Sequence, residues 1–195
     1  ATNTVAGSAV TVGDNPRRLV VSSAGTFVYV ANNTSNTVSV LNATTRVLTD
    51  TITVATGPWG IDITADAKTL YVASTAGNSI QRIDTATNTI IATLALTNAD
   101  ALSLTPDNTT LYASTFDGTL HKISTATFAF STGAITVGSF PDSIAVTPDG
   151  TKVYVGNFGS DTVSVVSTTT NTVIATIADI DLPFFTARIF GTRLY

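Results

Sequence analysis

The sequence of 195 residues contains no cysteine, no methionine and no glutamate. Without cysteine it has no disulfide framework, thiolate metal site or cysteine nucleophile. Without glutamate it lacks the paired glutamates of many glycoside hydrolases. No apolar run approaches the ~20 residues of a membrane-spanning helix. Because position 1 is not methionine, we expect the chain to begin after processing or to have been defined without its natural start.

Charge is also scarce, since charged residues make up only 11% of the chain and the formal net charge is −4. Soluble domains are typically about 25% charged. The few basic residues are scattered, which argues against nucleic acid as a partner, because phosphate binding needs clustered lysine and arginine. A surface kept soluble by hydroxyls and amides suits an extracellular or cell-surface protein, and that is the predicted location.

Threonine, valine, alanine, serine and asparagine make up most of the chain instead. Threonine and valine favour the half-buried surface of a β-sheet. The missing glutamate and the few lysines argue against helices. The composition therefore predicts an all-β protein.

The clearest pattern is a repeat of about 42 residues. Its tyrosines are separated by 42, 41, 42 and 41 residues, and self-similarity at this period is typical of repeat architectures. The tyrosines are Tyr29, Tyr71, Tyr112, Tyr154 and Tyr195.

Each copy contains four short apolar segments joined by turn residues. In the fourth copy, Pro148-Asp149-Gly150-Thr151 is a turn between the first two segments. Four short strands with apolar residues on both faces predict a four-stranded antiparallel propeller blade that must stack on its neighbours. A β-solenoid is the alternative, but its coils are shorter and its strands pair in parallel. The predicted blades are residues 13–54, 55–95, 96–136 and 137–178.

The second strands carry a family resemblance. They resemble the YVTN-type β-propeller repeat of archaeal and bacterial cell-surface and surface-layer proteins, a fold similar to lactonase-like and quinoprotein propellers. The third copy departs most from it, through Phe116-Asp117-Gly118 and Phe128-Ala129-Phe130. The resemblance implies the fold, and fold alone does not assign function. The matching segments are Tyr29-Val30-Ala31-Asn32, Tyr71-Val72-Ala73-Ser74, Tyr112-Ala113-Ser114-Thr115 and Tyr154-Val155-Gly156-Asn157.

The two ends of the chain predict an incomplete blade. Residues 3–12 match an outer strand, and residues 179–195 match the beginning of a fifth blade. We consider three explanations: the chain is part of a longer propeller, it closes as a five-bladed ring with one thin blade, or neighbouring chains complete each other. An open sheet edge invites strand addition from another chain.

A candidate ligand site lies where the blades begin. Overlaying the copies places Arg17, Trp59, Asp100 and Asp142 at one repeat position, with Arg18 beside the first. In a closed propeller these loops cluster near the central channel, where an aromatic face with arginine and aspartate can bind a sugar or another small molecule. The alternative is that Trp59 packs on the adjacent blade and the charges are solvated.

Other polar residues have weaker claims. Asp62 interrupts an apolar first strand, and it either binds a cation or polar ligand in the channel or accepts backbone hydrogen bonds. His121 is the only histidine, so it predicts a surface residue rather than a zinc site or a catalytic triad. The sequence indicates no catalytic set, metal site or cofactor.

Four asparagines begin Asn-x-Ser/Thr triplets in predicted turns, where a glycan could project. Such triplets also arise by chance in a sequence rich in asparagine and threonine. The four residues are Asn32, Asn33, Asn42 and Asn108.

These observations lead to a prediction about function. We expect a non-enzymatic secreted or cell-surface propeller that acts as a structural or adhesive module and self-assembles into a surface layer or filament. Its expected partners are copies of itself, other surface components and glycans. The alternatives are a carbohydrate- or small-molecule-binding propeller and an enzyme of the lactonase or quinoprotein kind.

Overall fold

The structure is a computed structural model that describes residues 7–178. In this range the secondary structure is almost entirely β, and the strands pair with antiparallel neighbours into four sheets. A 3-10 turn at Phe158–Ser160 is the one helical element in the described range. None of the described residues form a helix long and apolar enough to cross a membrane.

The first two sheets each contain four strands in sequence order, which is the expected meander of a propeller blade. Blade 1 consists of β1 (Pro16–Val21), β2 (Phe27–Asn32), β3 (Thr37–Asn42) and β4 (Val47–Thr53). Blade 2 consists of β5 (Pro58–Ile63), β6 (Thr69–Ser74), β7 (Ser79–Asp84) and β8 (Thr89–Ala95).

The third sheet differs from the others because its outer strand is interrupted, so that β12 and β13 both pair with β11. Blade 3 consists of β9 (Ala99–Leu104), β10 (Thr110–Thr115), β11 (Thr119–Ser124), β12 (Ala129–Phe130) and β13 (Ile135–Thr136). Blade 4 consists of β14 (Pro141–Val146), β15 (Lys152–Asn157), β16 (Thr162–Ser167) and β17 (Thr172–Ile177).

The core lies between consecutive blades, because each sheet has an apolar face on both sides. One hydrophobic cluster joins blades 1 and 2, a second joins blades 2 and 3, and a third joins blades 3 and 4. Three of the repeated tyrosines belong to these clusters: Tyr29, Tyr71 and Tyr112 are at most 3% exposed. Burial raises the pKa of all three phenols above the usual value. Each of these three tyrosines therefore packs one blade against the next.

The first strand of each blade is the innermost. β5 packs between β1 and β9, and β9 packs between β5 and β14. Gly60 makes this close approach possible, since a Cβ at that position would lie 2.0 Å from the Asp100 carbonyl oxygen. The inner strands thus form a continuous row from blade 1 to blade 4, and their first residues lie at one end of it.

The turn after each inner strand repeats in blades 2, 3 and 4. A threonine hydroxyl donates to the aspartate two residues later, over 2.6 Å from Thr64 to Asp66 and 2.5 Å from Thr147 to Asp149. The hydroxyl bond lowers the pKa of Asp66, and it lowers the pKa of Asp149 to about 2. These aspartates are turn residues, as the dipeptide Asp149-Gly150 predicted.

The predicted propeller of four-stranded antiparallel blades is confirmed, and two strands differ from the prediction. The predicted fourth strand of the third copy is split into β12 and β13. The predicted strand at residues 3–12 is not found in its described part, residues 7–12. The predicted partial blade at 179–195 lies outside the described residues.

Candidate functional site

The structure places the predicted site residues at one end of the inner strands. Arg17, Trp59, Asp100 and Asp142 are the second residues of β1, β5, β9 and β14. In each strand the pairing with the neighbouring strand shifts register near this residue. Such irregularities redirect side chains and are over-represented next to functional sites. We call Arg17, Arg18, Trp59, Asp100 and Asp142 the inner-strand cluster.

An ion pair joins the first blade to the fourth in this cluster. Arg18 Nη2 lies 2.9 Å from Asp142 Oδ1, and the same nitrogen donates to the backbone carbonyl of Asp142. The two side chains are partly exposed, at 30% and 17%. The guanidinium is therefore fixed in position while remaining open to a ligand on its exposed side.

Asp100 lies beside this pair and is 0% exposed. No described protein group donates a hydrogen bond to either of its carboxylate oxygens. Burial, assisted by the negative charge of Asp142 and opposed by Arg18, raises the pKa of Asp100 to about 8. Asp100 is accordingly protonated at neutral pH.

Trp59 provides the aromatic part of the cluster. The Arg17 guanidinium carbon lies 4.4 Å from the centroid of the Trp59 ring, which is a cation–π contact. Arg17 is exposed and Trp59 is half-buried. The cluster therefore offers a stacked cation and ring next to an ion pair and a protonated carboxyl.

Asp62 does not belong to this cluster. It lies toward the other end of β5, where one carboxylate oxygen accepts from the Ile63 amide over 2.9 Å and the other accepts from the Leu104 amide over 2.8 Å. These bonds connect blade 2 to blade 3. Asp62 was predicted either to bind a ligand in the channel or to accept backbone hydrogen bonds, and the structure favours the second role.

The predicted glycosylation positions differ in accessibility. Asn32 is 0% exposed, and its amide nitrogen, the atom that would carry a glycan, donates to Thr37 and Ser39. Asn32 is therefore a buried structural residue and not a glycosylation position, which corrects the prediction. Asn33, Asn42 and Asn108 are half-buried.

Residues 7–178 contain no group of three or more histidine, cysteine, aspartate or glutamate side chains that could hold a metal ion.

One polar group was missed by sequence reasoning. His121, predicted to lie on the surface, is half-buried in a cavity of blade 3 together with Thr115 and Asp117. The unusual residues of the third copy were the available signal.

Comparisons with known proteins support the fold and add a functional direction. A family model described as "Lactonase, 7-bladed beta-propeller" matches residues 2–61, a segment that includes Arg17, Arg18 and Trp59. No curated protein sequence is detectably similar to this chain.

Two solved structures illustrate the structural likeness. One is hydrazine synthase from Kuenenia stuttgartiensis, with a TM-score of 0.80, 19% identity, and coverage of 91% of this chain and 53% of that chain. The other is a functionally unknown protein from Desulfotomaculum acetoxidans, with a TM-score of 0.79, 18% identity, and coverage of 89% and 59%. This chain thus spans between half and three-fifths of the length of either structure. At these identities the likeness shows the fold.

These findings correct one prediction and leave another untested. The expectation of a non-enzymatic protein is wrong, because the family model that matches residues 2–61 is that of lactonase propellers. The comparisons give no support to a structural or adhesive role, and the surface-layer type of repeat stays a prediction. The chain is a β-propeller protein, and its first blade is similar to the lactonase propellers.

Proposed function

We propose that this protein binds a small lactone at the inner-strand cluster and hydrolyses its ring ester. The observation that carries the proposal is the buried Asp100 carboxyl, which has no described hydrogen-bond donor and lies beside the Arg18–Asp142 ion pair. A buried polar group without a partner costs roughly 1–3 kcal/mol, and such groups are concentrated at functional sites. The lactonase match over residues 2–61 supports the choice of substrate class.

The chemistry follows from the different environments of the two carboxyls, since Asp142 is partly exposed and Asp100 is fully buried. Asp142 is partly exposed and can accept a proton from the attacking water, whose oxygen forms a bond to the ester carbon. Arg18 is placed to stabilise the negative charge that develops on the carbonyl oxygen. The ring carbon–oxygen bond then breaks, and the proton is returned to the leaving alkoxide. Asp100 is itself fully buried, so it acts through its neighbour Asp142.

Ring opening gives a hydroxy acid and releases one proton at neutral pH, so a pH-stat measures it directly. The probes are δ-valerolactone and a sugar 1,5-lactone. We expect acceleration over buffer, and a loss of about 100-fold or more in Asp142→Asn, in line with removal of a general base. The control is Lys68→Gln, which removes a charge from the exposed turn between β5 and β6 at the opposite end of the inner strand.

Two results would contradict the proposal. One is a wild-type rate equal to that of buffer with both lactones. The other is full activity in Asp142→Asn. Lactone binding without turnover, lost in Asp142→Asn, would support the site and exclude hydrolysis.

A second candidate function, carbohydrate binding, is favoured by the Arg17–Trp59 stack. Trp59→Ala removes the ring on which a sugar face packs, and we expect weaker binding on a glycan array. A glycan profile unchanged by this substitution would rule out the stack as a sugar site.

A further inference from the structure

Blade 3 contains a cavity of about 460 Å³ between its interrupted outer strand and the end of blade 2. It lies on β11 and is distinct from the inner-strand cluster on β1, β5, β9 and β14. Apolar, hydroxyl, aromatic and acidic side chains line it. They include Leu96, Thr97, Thr115, Asp117, His121 and Phe130.

The equivalent positions in blade 4 are joined by side-chain hydrogen bonds. The Asn157 amide donates to the Thr162 hydroxyl over 3.0 Å and to the Ser164 hydroxyl over 2.9 Å. Blade 1 repeats this arrangement with Asn32, which donates to Thr37 and Ser39 over 3.1 and 2.9 Å. The network fills a polar gap between the second and third strands.

Blade 3 keeps the threonine, as Thr119, but has Thr115 in place of the asparagine and His121 in place of the serine. The Thr119 hydroxyl lies 3.0 Å from His121 Nε2, 2.6 Å from the Thr115 hydroxyl and 3.1 Å from an oxygen of Asp117. Thr115 also donates to Asp117. The asparagine–serine pair is thus replaced by a threonine and an imidazole, and the turn between β10 and β11 adds the Asp117 carboxylate.

The outer strand explains why this position is open in blade 3. In blade 4, Ser164 pairs with Thr176 of β17 and is 3% exposed. There, Val163 pairs with Ile177 and Val166 pairs with Val173, so a separation of three residues on β16 corresponds to four residues on β17. In blade 3, Ile123 pairs with Phe130 and Leu120 pairs with Ile135, so a separation of three residues on β11 corresponds to five residues on the outer strand. The additional residue interrupts the pairing at the level of His121.

Two aromatic rings border the opening. The His121 and Phe130 rings have centroids 5.3 Å apart, and Phe130 is 43% exposed. An exposed phenylalanine next to an open cavity leaves apolar surface available for a ligand. The wall contributed by blade 2 is apolar at Ala95 and Leu96.

The charge of the cavity is negative. Asp117 is the one charged residue among its lining residues. Lys122 is directed away, and its Nζ bonds to the Thr168 carbonyl and to Asn171 in blade 4. Burial lowers the pKa of His121, although Asp117 acts in the opposite direction, so the imidazole is mostly uncharged at neutral pH. A cation therefore meets a carboxylate and no opposing charge from these side chains.

We propose that this cavity binds a small organic cation, a protonated amine carried on an apolar body. The ammonium group is placed to contact the Asp117 carboxylate and the threonine hydroxyl oxygens, with the Phe130 face beside it. The apolar body packs against Leu96 and the exposed side of Phe130. This site is independent of the proposed lactone site, because the two share no residue.

His121 provides a direct readout, since a chain with one histidine gives one set of imidazole signals in a proton NMR spectrum. We use benzylamine as the probe and benzyl alcohol as its neutral analogue of similar shape. Benzylamine is expected to shift the His121 signals with a dissociation constant on the order of a millimolar, as suits a fragment of this size. Benzyl alcohol is expected to bind about tenfold more weakly.

Matched variants test the carboxylate. Asp117→Asn is expected to weaken benzylamine binding about tenfold, because it removes a charge-assisted contact. Asp161→Asn is the control, because it removes one negative charge from the corresponding turn of blade 4, before the uninterrupted β17. Asp161 has φ 50°, a conformation that asparagine tolerates.

The proposal is overturned if benzyl alcohol binds as tightly as benzylamine, since the cavity is then only an apolar gap. It is equally overturned if Asp117→Asn binds benzylamine like the wild type, or if Asp161→Asn loses binding to the same extent. Thermal unfolding of each variant shows whether any loss comes from misfolding. Phe130→Leu gives a second check, with binding expected to fall a few fold while the cavity remains apolar.

Discussion

Blades 3 and 4 are built from the same repeat but differ at two equivalent positions. At the start of the inner strand, Asp142 of blade 4 is paired with Arg18, whereas Asp100 of blade 3 is buried without a described donor. In the third strand, Ser164 of blade 4 is covered by β17, whereas His121 of blade 3 is half-exposed. At these two positions blade 4 has a paired carboxylate and a covered hydroxyl, whereas blade 3 has a carboxyl without a described donor and an imidazole beside a cavity.

The difference shows that the chemistry available to a polar residue depends on its burial and on the groups beside it. Asp100 and Asp142 are the same residue type at the same repeat position, yet burial and a neighbouring charge separate their chemistry. One additional residue in an outer strand likewise converts a structural position into a cavity wall. A propeller can therefore acquire sites without changing its framework.

The largest expected effect comes from placing the blade 3 residue in blade 4. Ser164→His forces an imidazole into a site that is 3% exposed, where β17 covers it. Overpacking and a buried ring nitrogen without a partner are expected to cost about 3 kcal/mol of unfolding free energy. Urea denaturation measures this loss of unfolding free energy. The reverse change, His121→Ser, is expected to cost under about 1 kcal/mol; similar costs for both would contradict the contrast between the blades.

A second pair of substitutions compares the two polar networks. Asn157→Ala removes the donor for the buried Ser164 hydroxyl and the half-buried Thr162 hydroxyl, and it is expected to cost about 2 kcal/mol. Thr115→Ala is expected to cost about 1 kcal/mol, because its partners Thr119 and Asp117 are accessible to water. Denaturant midpoints at constant m-value give the comparison. A larger loss for Thr115→Ala would indicate that the blade 3 cluster is mainly structural.

The inner-strand difference predicts a dependence on pH. The pKa of Asp100 is raised from 3.8 to about 8 in the folded protein, so the folded state holds a proton that the unfolded chain has released. The free energy of unfolding should therefore fall as the pH rises from 4 to 8, by at most about 1.4 kcal/mol per unit.

Asp100→Asn tests this pH dependence, because it should flatten the slope between pH 4 and 8. Asp142→Asn should only reduce the slope, since the burial that raises the pKa of Asp100 remains. Urea unfolding at several pH values measures the slope. The same slope in Asp100→Asn and wild type would assign it to other groups.

The smallest expected effect concerns His121. Burial lowers its pKa below the usual 6.5, and Asp117 partly opposes the shift. Asp117→Asn should therefore lower the pKa of His121 further, and an NMR titration of the single histidine measures it. An increase in that pKa would show that Asp117 does not act on the imidazole as the structure indicates.

Much of the fold could be predicted from the sequence, because the repeat is carried by local features. The tyrosine interval and the turn residues around Asp149-Gly150 indicate four-stranded blades without knowledge of the packing. Overlaying the copies also brought Arg17, Trp59, Asp100 and Asp142 to one position, and the structure places them at one end of the inner strands.

The pairing within that cluster could not be predicted. Whether Arg18 reaches Asp142 depends on the curvature of the whole row of blades, which is a sum of many small packing angles. The cavity around His121 was missed for a different reason. It arises from a shift in strand pairing, and the sequence signals it only as unusual residues in Phe128-Ala129-Phe130.

The contact between Arg18 and Asp142 joins residues that are 124 positions apart, while the hydrophobic clusters join only consecutive blades. The ion pair therefore depends on blades 2 and 3, which set the distance between its two charges. A change in the packing of either intervening blade would separate Arg18 from Asp142. A ligand site at such a contact is sensitive to the stacking of all four described blades.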